Sequence, residues 1–119
     1  MKQRNIISLL RKEFGHHEVT VFSASTKNRA GVLDCEIAYR GGSIWIEIKI
    51  NNDTLKPTQL KFMERHNDSS FCLHYYDFYY SCKNFFILYK YDLTTNMKKI
   101  IEQNSNFDNI IHYMLLTII

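Results

Sequence analysis

The chain has little of what punctuates or staples a polypeptide. Its 119 residues include one proline and four glycines, with no stretch that reads as a linker, so a single domain is expected. The three cysteines, Cys35, Cys72 and Cys82, are odd in number and show no CxxC spacing. They argue against a disulfide framework or a thiolate zinc site and read as reduced thiols of an intracellular protein. No apolar run approaches the ~20 residues that span a bilayer. The opening "MKQRNIISLLRKEFG" also lacks the uninterrupted apolar segment of a secretory signal. A soluble, cytoplasmic protein is the expectation. An excess of one charge is missing too: 15 Lys and Arg stand against 12 Asp and Glu, a net charge of +3. That suits a polyanionic partner without requiring one.

Apolar and aromatic residues are plentiful. The apolar fraction is 45%, with 8 Phe, 8 Tyr and one Trp, which describes a folded globule. A chain this long buries roughly two-thirds of its unfolded surface, enough for a core without staples. Helical and strand patterns alternate, so the expected fold is α/β, a mixed sheet flanked by helices.

Apolar residues from Ile6 to Phe14 recur at helical spacing, and Gly15 fits a C-cap, so residues 3–14 read as an amphipathic helix. "HEVTVFSA" alternates and predicts a strand near 17–24. "VLDCEIAYR" and "SIWIEIKI" predict two more, joined through the hairpin signal "RGG". Pro57 fits the first turn of a helix, "PTQLKFMERHN", with Leu60 and Met63 turned to the core. "FCLHYYDFYY" and "NFFILYKYDL" read as another strand pair. Residues 94–103 and 107–117 are the remaining helix candidates.

The segment "IWIEIKI" raises the functional question. Ile44, Ile46, Ile48 and Ile50 take one face of a strand, while Glu47 and Lys49 stand on the other, about 7 Å apart. A hairpin centred on Arg40 and Gly41 pairs residues whose numbers sum to 81, which sets Asp34 opposite Glu47. Directly opposed Cβ atoms lie about 5 Å apart, and two carboxylates there repel unless positive charge lies between them. Mg²⁺ takes such ligands: one or two carboxylates, with waters and phosphate oxygens. Lys49 stands one pleat further on that face. Glu36 shares the face of Asp34 and offers an alternative carboxylate. The same alternation also describes a plain solvated face held by cross-strand ion pairs.

The longer string "GVLDCEIAYRGGSIWIEIKINNDTLKPTQLKF" resembles the signature of the PD-(D/E)XK nuclease superfamily. Within it the string is similar to the VRR-Nuc branch and the archaeal-type Holliday-junction resolvases. The matching residues are Gly31, Asp34, Glu47, Lys49, Pro57 and Gln59, and the resemblance covers roughly residues 1–90. It implies a restriction-endonuclease-like core and a Mg²⁺- or Mn²⁺-dependent endonuclease acting on DNA, with branched DNA or a Holliday junction as the expected substrate. By position, Asp34, Glu47 and the backbone carbonyl of Ile48 would hold the metal. Lys49 would position the attacking water and offset developing charge, and Gln59 would organise the site's hydrogen bonds. Stand-alone proteins of this branch resemble phage or mobile-element enzymes acting as homodimers in the host cytoplasm.

Three positions depart from that pattern. Leu33 replaces a frequent proline. Lys56 stands where a Ser or Thr N-cap is usual, a loss of about 1 kcal/mol. Gln3 occupies the place of an upstream acid on the first helix, and Glu13, the only acid there, lies near the wrong end. Gln3 and Glu13 are therefore the auxiliary candidates. Lys27, Arg29, Lys56 and Lys61 are candidate DNA contacts, set in a polar loop and beside the second helix. His16 and His17 read as exposed. The run "HYYDFYY" reads as core or dimer contact, and "NIIHYMLLTII" as packing on the core or on a second subunit. Two other classes compete with the enzyme: a nuclease-fold protein that binds DNA without cutting it, and a non-enzymatic interaction protein.

Overall fold

The computed structural model describes residues 1–22, 32–78 and 83–118. Along the chain run α1 (Gln3–Phe14), β1 (Val19–Val21), β2 (Cys35–Tyr39), β3 (Gly42–Ile50), α2 (Pro57–Arg65), β4 (Ser70–Phe78), β5 (Lys83–Asp92), β6 (Met97–Asn104) and α3 (Phe107–Ile118). The six strands form one sheet in sequence order. All neighbours are antiparallel except β3 and β4, which are parallel and joined through α2. The sheet is therefore mixed.

Alternation in β3 sorts the two faces. Ile44, Ile46 and Ile48 join Phe71, Leu73 and Leu88 beneath α1 and α3, which contribute Ile6, Leu10, Ile110 and Met114. The opposite face, with Cys72, Ile87, Tyr89 and Tyr91, is covered by Met63, Leu60 and Phe62 of α2. Two helices lie on one face and one on the other. The apolar tail thus packs on the chain's own core, although Leu116 stays exposed.

The β2–β3 hairpin closes with a two-residue loop. Arg40 and Gly41 have φ of 49° and 78°, the pair of positive values that a type I′ turn requires. Cys35 pairs with Ile46 and Tyr39 with Gly42, the register expected from the sequence. Helix α2 ends where Ser70 of β4, fully buried, donates its hydroxyl towards the carbonyls of Met63 (3.2 Å) and His66 (2.7 Å).

One helix expectation is overturned. Residues 94–103 are not helical: residues 93–96 form a turn and β6 folds back antiparallel onto β5. Met97, Ile100 and Ile101 have helical spacing, but Asp92 and Asn96 dictate a reversal. The Asp92 carboxylate accepts from the Thr94 amide and the Thr95 hydroxyl, both at 3.1 Å, and Asn96 takes φ of 57°. Asn and Asp are the residues that tolerate and stabilise such turns. The first strand is also shorter than expected, three residues within the predicted 17–24, of which 23 and 24 lie outside the described residues.

Candidate functional site

The site arises where β2 stops short of the end of β3. The Trp45 amide bonds the Ser69 carbonyl at 2.8 Å, on the β4 side. Amide direction alternates along a strand, so the amides of Ile46, Ile48 and Ile50 face β2. Pairing with β2 ends at Cys35–Ile46, and two aspartates take the donors left behind. Asp34 Oδ2 accepts the Ile48 amide at 2.7 Å, and Asp53 Oδ2 accepts the Ile50 amide at 3.2 Å. A buried amide without a partner costs as much as a lost hydrogen bond, so the carboxylates finish what the ladder leaves undone. Within a strand, the N–H and C=O of one residue point the same way. The Ile48 carbonyl therefore faces the same gap.

Glu47 is the hub. Its Oε1 accepts the Asp34 amide at 3.0 Å. Its Oε2 accepts from Gln59 Nε2 at 2.7 Å and pairs with Lys49 Nζ at 3.0 Å. Glu47 and Asp34 are each 2% exposed, and Lys49 and Gln59 each 8%. A charge this deep is tolerable only when paired and hydrogen-bonded, and Glu47 is both.

Gln59 reaches this hub because of how α2 begins. Pro57 opens the helix and Gln59 is its third residue. Its Oε1 accepts the Lys56 backbone amide at 2.9 Å, the returning arm of a capping box, which leaves Nε2 to donate to Glu47. Lys56 makes no side-chain cap, as its residue type predicts, and the Gln59 arm offsets that loss.

These groups line one cleft of about 550 Å³ with Gln3, Ile48, Asn52, Asp53, Thr54 and Lys56. Of the sequence candidates, Gln3, Asp34, Glu47, Ile48, Lys49, Lys56 and Gln59 therefore come together. Glu13 does not: it lines a separate hollow with Asn106, Phe107 and Asp108. Glu36 stands across from Trp45 in the sheet, outside the cleft, which separates it from Asp34. Lys61 is exposed on α2 and not part of the cleft lining. Lys27 and Arg29 lie outside the described residues.

The donor set fits a hard divalent cation of the Mg²⁺ kind. Among the described residues no group of three or more His, Cys, Asp and Glu side chains could hold a metal. The Asp34 and Glu47 carboxylates and the Ile48 carbonyl match the one or two carboxylates by which Mg²⁺ is usually held, while Asp53, the third carboxylate of the cleft, is on the Ile50 amide.

Sequence reading missed the wall from Asn52 to Thr54 and the neighbours contributed by β4. Cys72 and His74 pair in register with Glu47 and Lys49. Burial, with the Glu47 charge second, pushes the Cys72 thiol up to about 12, so it stays protonated and inert. The polar "NNDT" run after the Glu-x-Lys strand was the available signal for the wall. His74 was hidden inside an aromatic run.

Comparison with known proteins gives no match: no family model, no curated protein and no solved structure matches this chain. No helix among the described residues is long and apolar enough to cross a membrane.

Proposed function

We propose that the chain is a Mg²⁺- or Mn²⁺-dependent nuclease hydrolysing phosphodiester bonds in DNA, built on a restriction-endonuclease-like core. The observation that carries this reading is the convergence of Asp34, Glu47, Lys49 and Gln59 at the free end of β3. Asp34, Glu47 and the Ile48 carbonyl would hold the cation. When bound, it would supply positive charge beside the scissile phosphate and lower the pKa of a nucleophilic water. Lys49 brings a compact ammonium to the same place, where it offsets charge building on the phosphate oxygens. Glu47 aims that ammonium, and Gln59 fixes Glu47. Lys56 on the cleft rim offers a phosphate contact.

Branched DNA as the substrate and a homodimer as the working unit follow from the resemblance and belong to the same proposal. A two-fold enzyme can cut two symmetry-related strands. The test is incubation with a four-way junction in Mn²⁺ or Mg²⁺, with a chelator control. Metal-dependent cleavage supports the enzyme.

A second reading, a protein that binds DNA and leaves it intact, is favoured by one observation: the residue that α1 presents to the cleft is Gln3, not an acid. Such a protein would retard DNA in a gel with steep salt dependence and cut nothing.

A further inference from the structure

His74 lies in the middle of β4, 3% exposed, paired with Lys49 across the parallel β3–β4 register. Its Nε2 is 2.7 Å from the backbone oxygen of Asn51. A carbonyl can only accept, so Nε2 carries the hydrogen, and Nδ1 is left to accept from the Tyr76 hydroxyl at 3.3 Å. The ring stacks on Tyr76 at 4.1 Å and 14°. Every part of the imidazole is thereby committed.

The residue it holds turns the chain. Asn51 has φ of 50°, a left-handed conformation that Asn tolerates better than most L-residues and that its surroundings here hold in place. Strand β4 enforces it three times. The Asn51 amide donates to the Tyr75 carbonyl at 2.8 Å, its side-chain oxygen accepts the Asp77 amide at 2.8 Å, and its carbonyl takes the His74 hydrogen. The next three residues, Asn52, Asp53 and Thr54, line the same cleft as Lys49 and Gln59. The direction in which that wall leaves the sheet is set at Asn51.

Resting on the nuclease reading above, we infer that His74 is a positioning residue. Through the Asn51 carbonyl it fixes the Asn52–Thr54 wall against which the DNA phosphate is seated. The wall faces substrate, while Asp34 and Glu47 are held by other bonds. Losing the tether therefore weakens DNA binding and leaves the affinity for metal unchanged.

Two substitutions separate the tether from the ring. His74→Phe keeps an aromatic ring against Tyr76 and removes the donor. His74→Gln removes the ring and keeps an N–H near the Nε2 position. Steady-state cleavage of a four-way junction in Mn²⁺ should show KM raised on the order of tenfold in H74F. H74Q should restore KM to within about twofold of native. The Mn²⁺ concentration giving half-maximal rate should match native in both. Asn51→Gly, which keeps the positive φ and the carbonyl while losing the bond to the Asp77 amide, should raise KM less than H74F does. It reports on the same tether if H74F does not fold. Amide exchange at residues 52–54 should be faster in H74F than in H74Q. Native KM in H74F, or equal KM rises in H74F and H74Q, overturns the assignment while the nuclease reading stands. A native protein that cuts nothing, with exchange still faster in H74F, overturns the nuclease reading and the role in catalysis but leaves the tether itself.

Discussion

Glu47 holds Asp34 by its backbone, leaving the Asp34 side chain to a different partner. Oε1 of Glu47 accepts the Asp34 amide at 3.0 Å, while Oδ2 of Asp34 accepts the Ile48 amide at 2.7 Å. Each acid thus fixes the main chain beside the other, and both carboxylates point into one cleft. Isosteric changes exploit this arrangement. Asp34→Asn and Glu47→Gln keep an acceptor for the Ile48 and Asp34 backbone amides, so both variants should remain folded by circular dichroism, E47Q with the lower Tm because its new NH2 faces the Gln59 and Lys49 donors. Both should lose cleavage and lose Mn²⁺ binding by calorimetry. Glu47→Ala is a different matter: it strands Lys49, Gln59 and the Asp34 amide without their acceptor. Removing one partner of a buried pair costs about 3–5 kcal/mol, so E47A should unfold at far lower denaturant.

Gln59 joins the start of α2 to the Glu47 hub through two bonds, 2.9 Å to the Lys56 amide and 2.7 Å to Glu47. Gln59→Ala should cost about 1.5–3 kcal/mol, the range for a hydrogen bond to a charged group. It should also reduce the cleavage rate at saturating metal. Gln59→Glu should fare worse in cleavage, since it sets a carboxylate against Glu47 Oε2. Chemical denaturation and single-turnover rates measure the two effects separately.

Gln3 opens α1 and faces the cleft that holds Asp34 and Glu47. An acid there would add a third negative donor at a helix N-terminus, where negative charge is also favoured. Gln3→Glu should tighten Mn²⁺ binding on the order of tenfold, as charge count tunes the affinity of carboxylate sites. Unchanged affinity by calorimetry would show that this side chain does not reach the cation.

Stability should fall in mild acid through His74. Burial, the largest cause, lowers its pKa from the ordinary 6.5. The bond to Asn51 opposes that lowering, Lys98 and Lys49 add to it, and Asp53 opposes it again. The folded state binds fewer protons than the unfolded one over this window. The stabilisation is complete above 6.5 and is lost as pH drops from there through the folded value. Thermal melts between pH 7.5 and pH 5 should show a smaller loss in Tm for His74→Gln than for native protein.

The hairpin turn offers a test away from the site. Arg40 occupies the left-handed region at φ of 49°, which costs an ordinary L-residue about 1–2 kcal/mol and Asn less. Arg40→Asn should raise Tm by a few degrees and leave cleavage as it is. Gly41→Val, at φ of 78° with open space around it, should lower Tm through backbone strain alone.

Much of this was legible in the sequence because it is local. The turn at Arg40–Gly41 sits between alternating strands, so the register follows from counting, and Asp34 comes beside Glu47 just past the Cys35–Ile46 pair where the ladder stops. Pro57 and Gln59 declare the start of α2 in the same way. What escaped prediction depends on contacts distant in the chain. Strand β6 shows helical spacing and becomes a strand because Asp92 and Asn96 turn it onto β5. His74 reads as one more ring in an aromatic run. Only the parallel crossover through α2 sets it beside Lys49 and under Asn51, across 23 residues of sequence.

Cleavage of a labelled four-way junction tests the central claim most directly, with native protein and D34N, E47Q and Lys49→Met variants, in Mn²⁺ and in chelator. Native protein should cut strands with metal and none with chelator, and no variant that still folds should cut. Intact DNA from native protein in both Mn²⁺ and Mg²⁺, or cleavage that survives in E47Q, contradicts the claim.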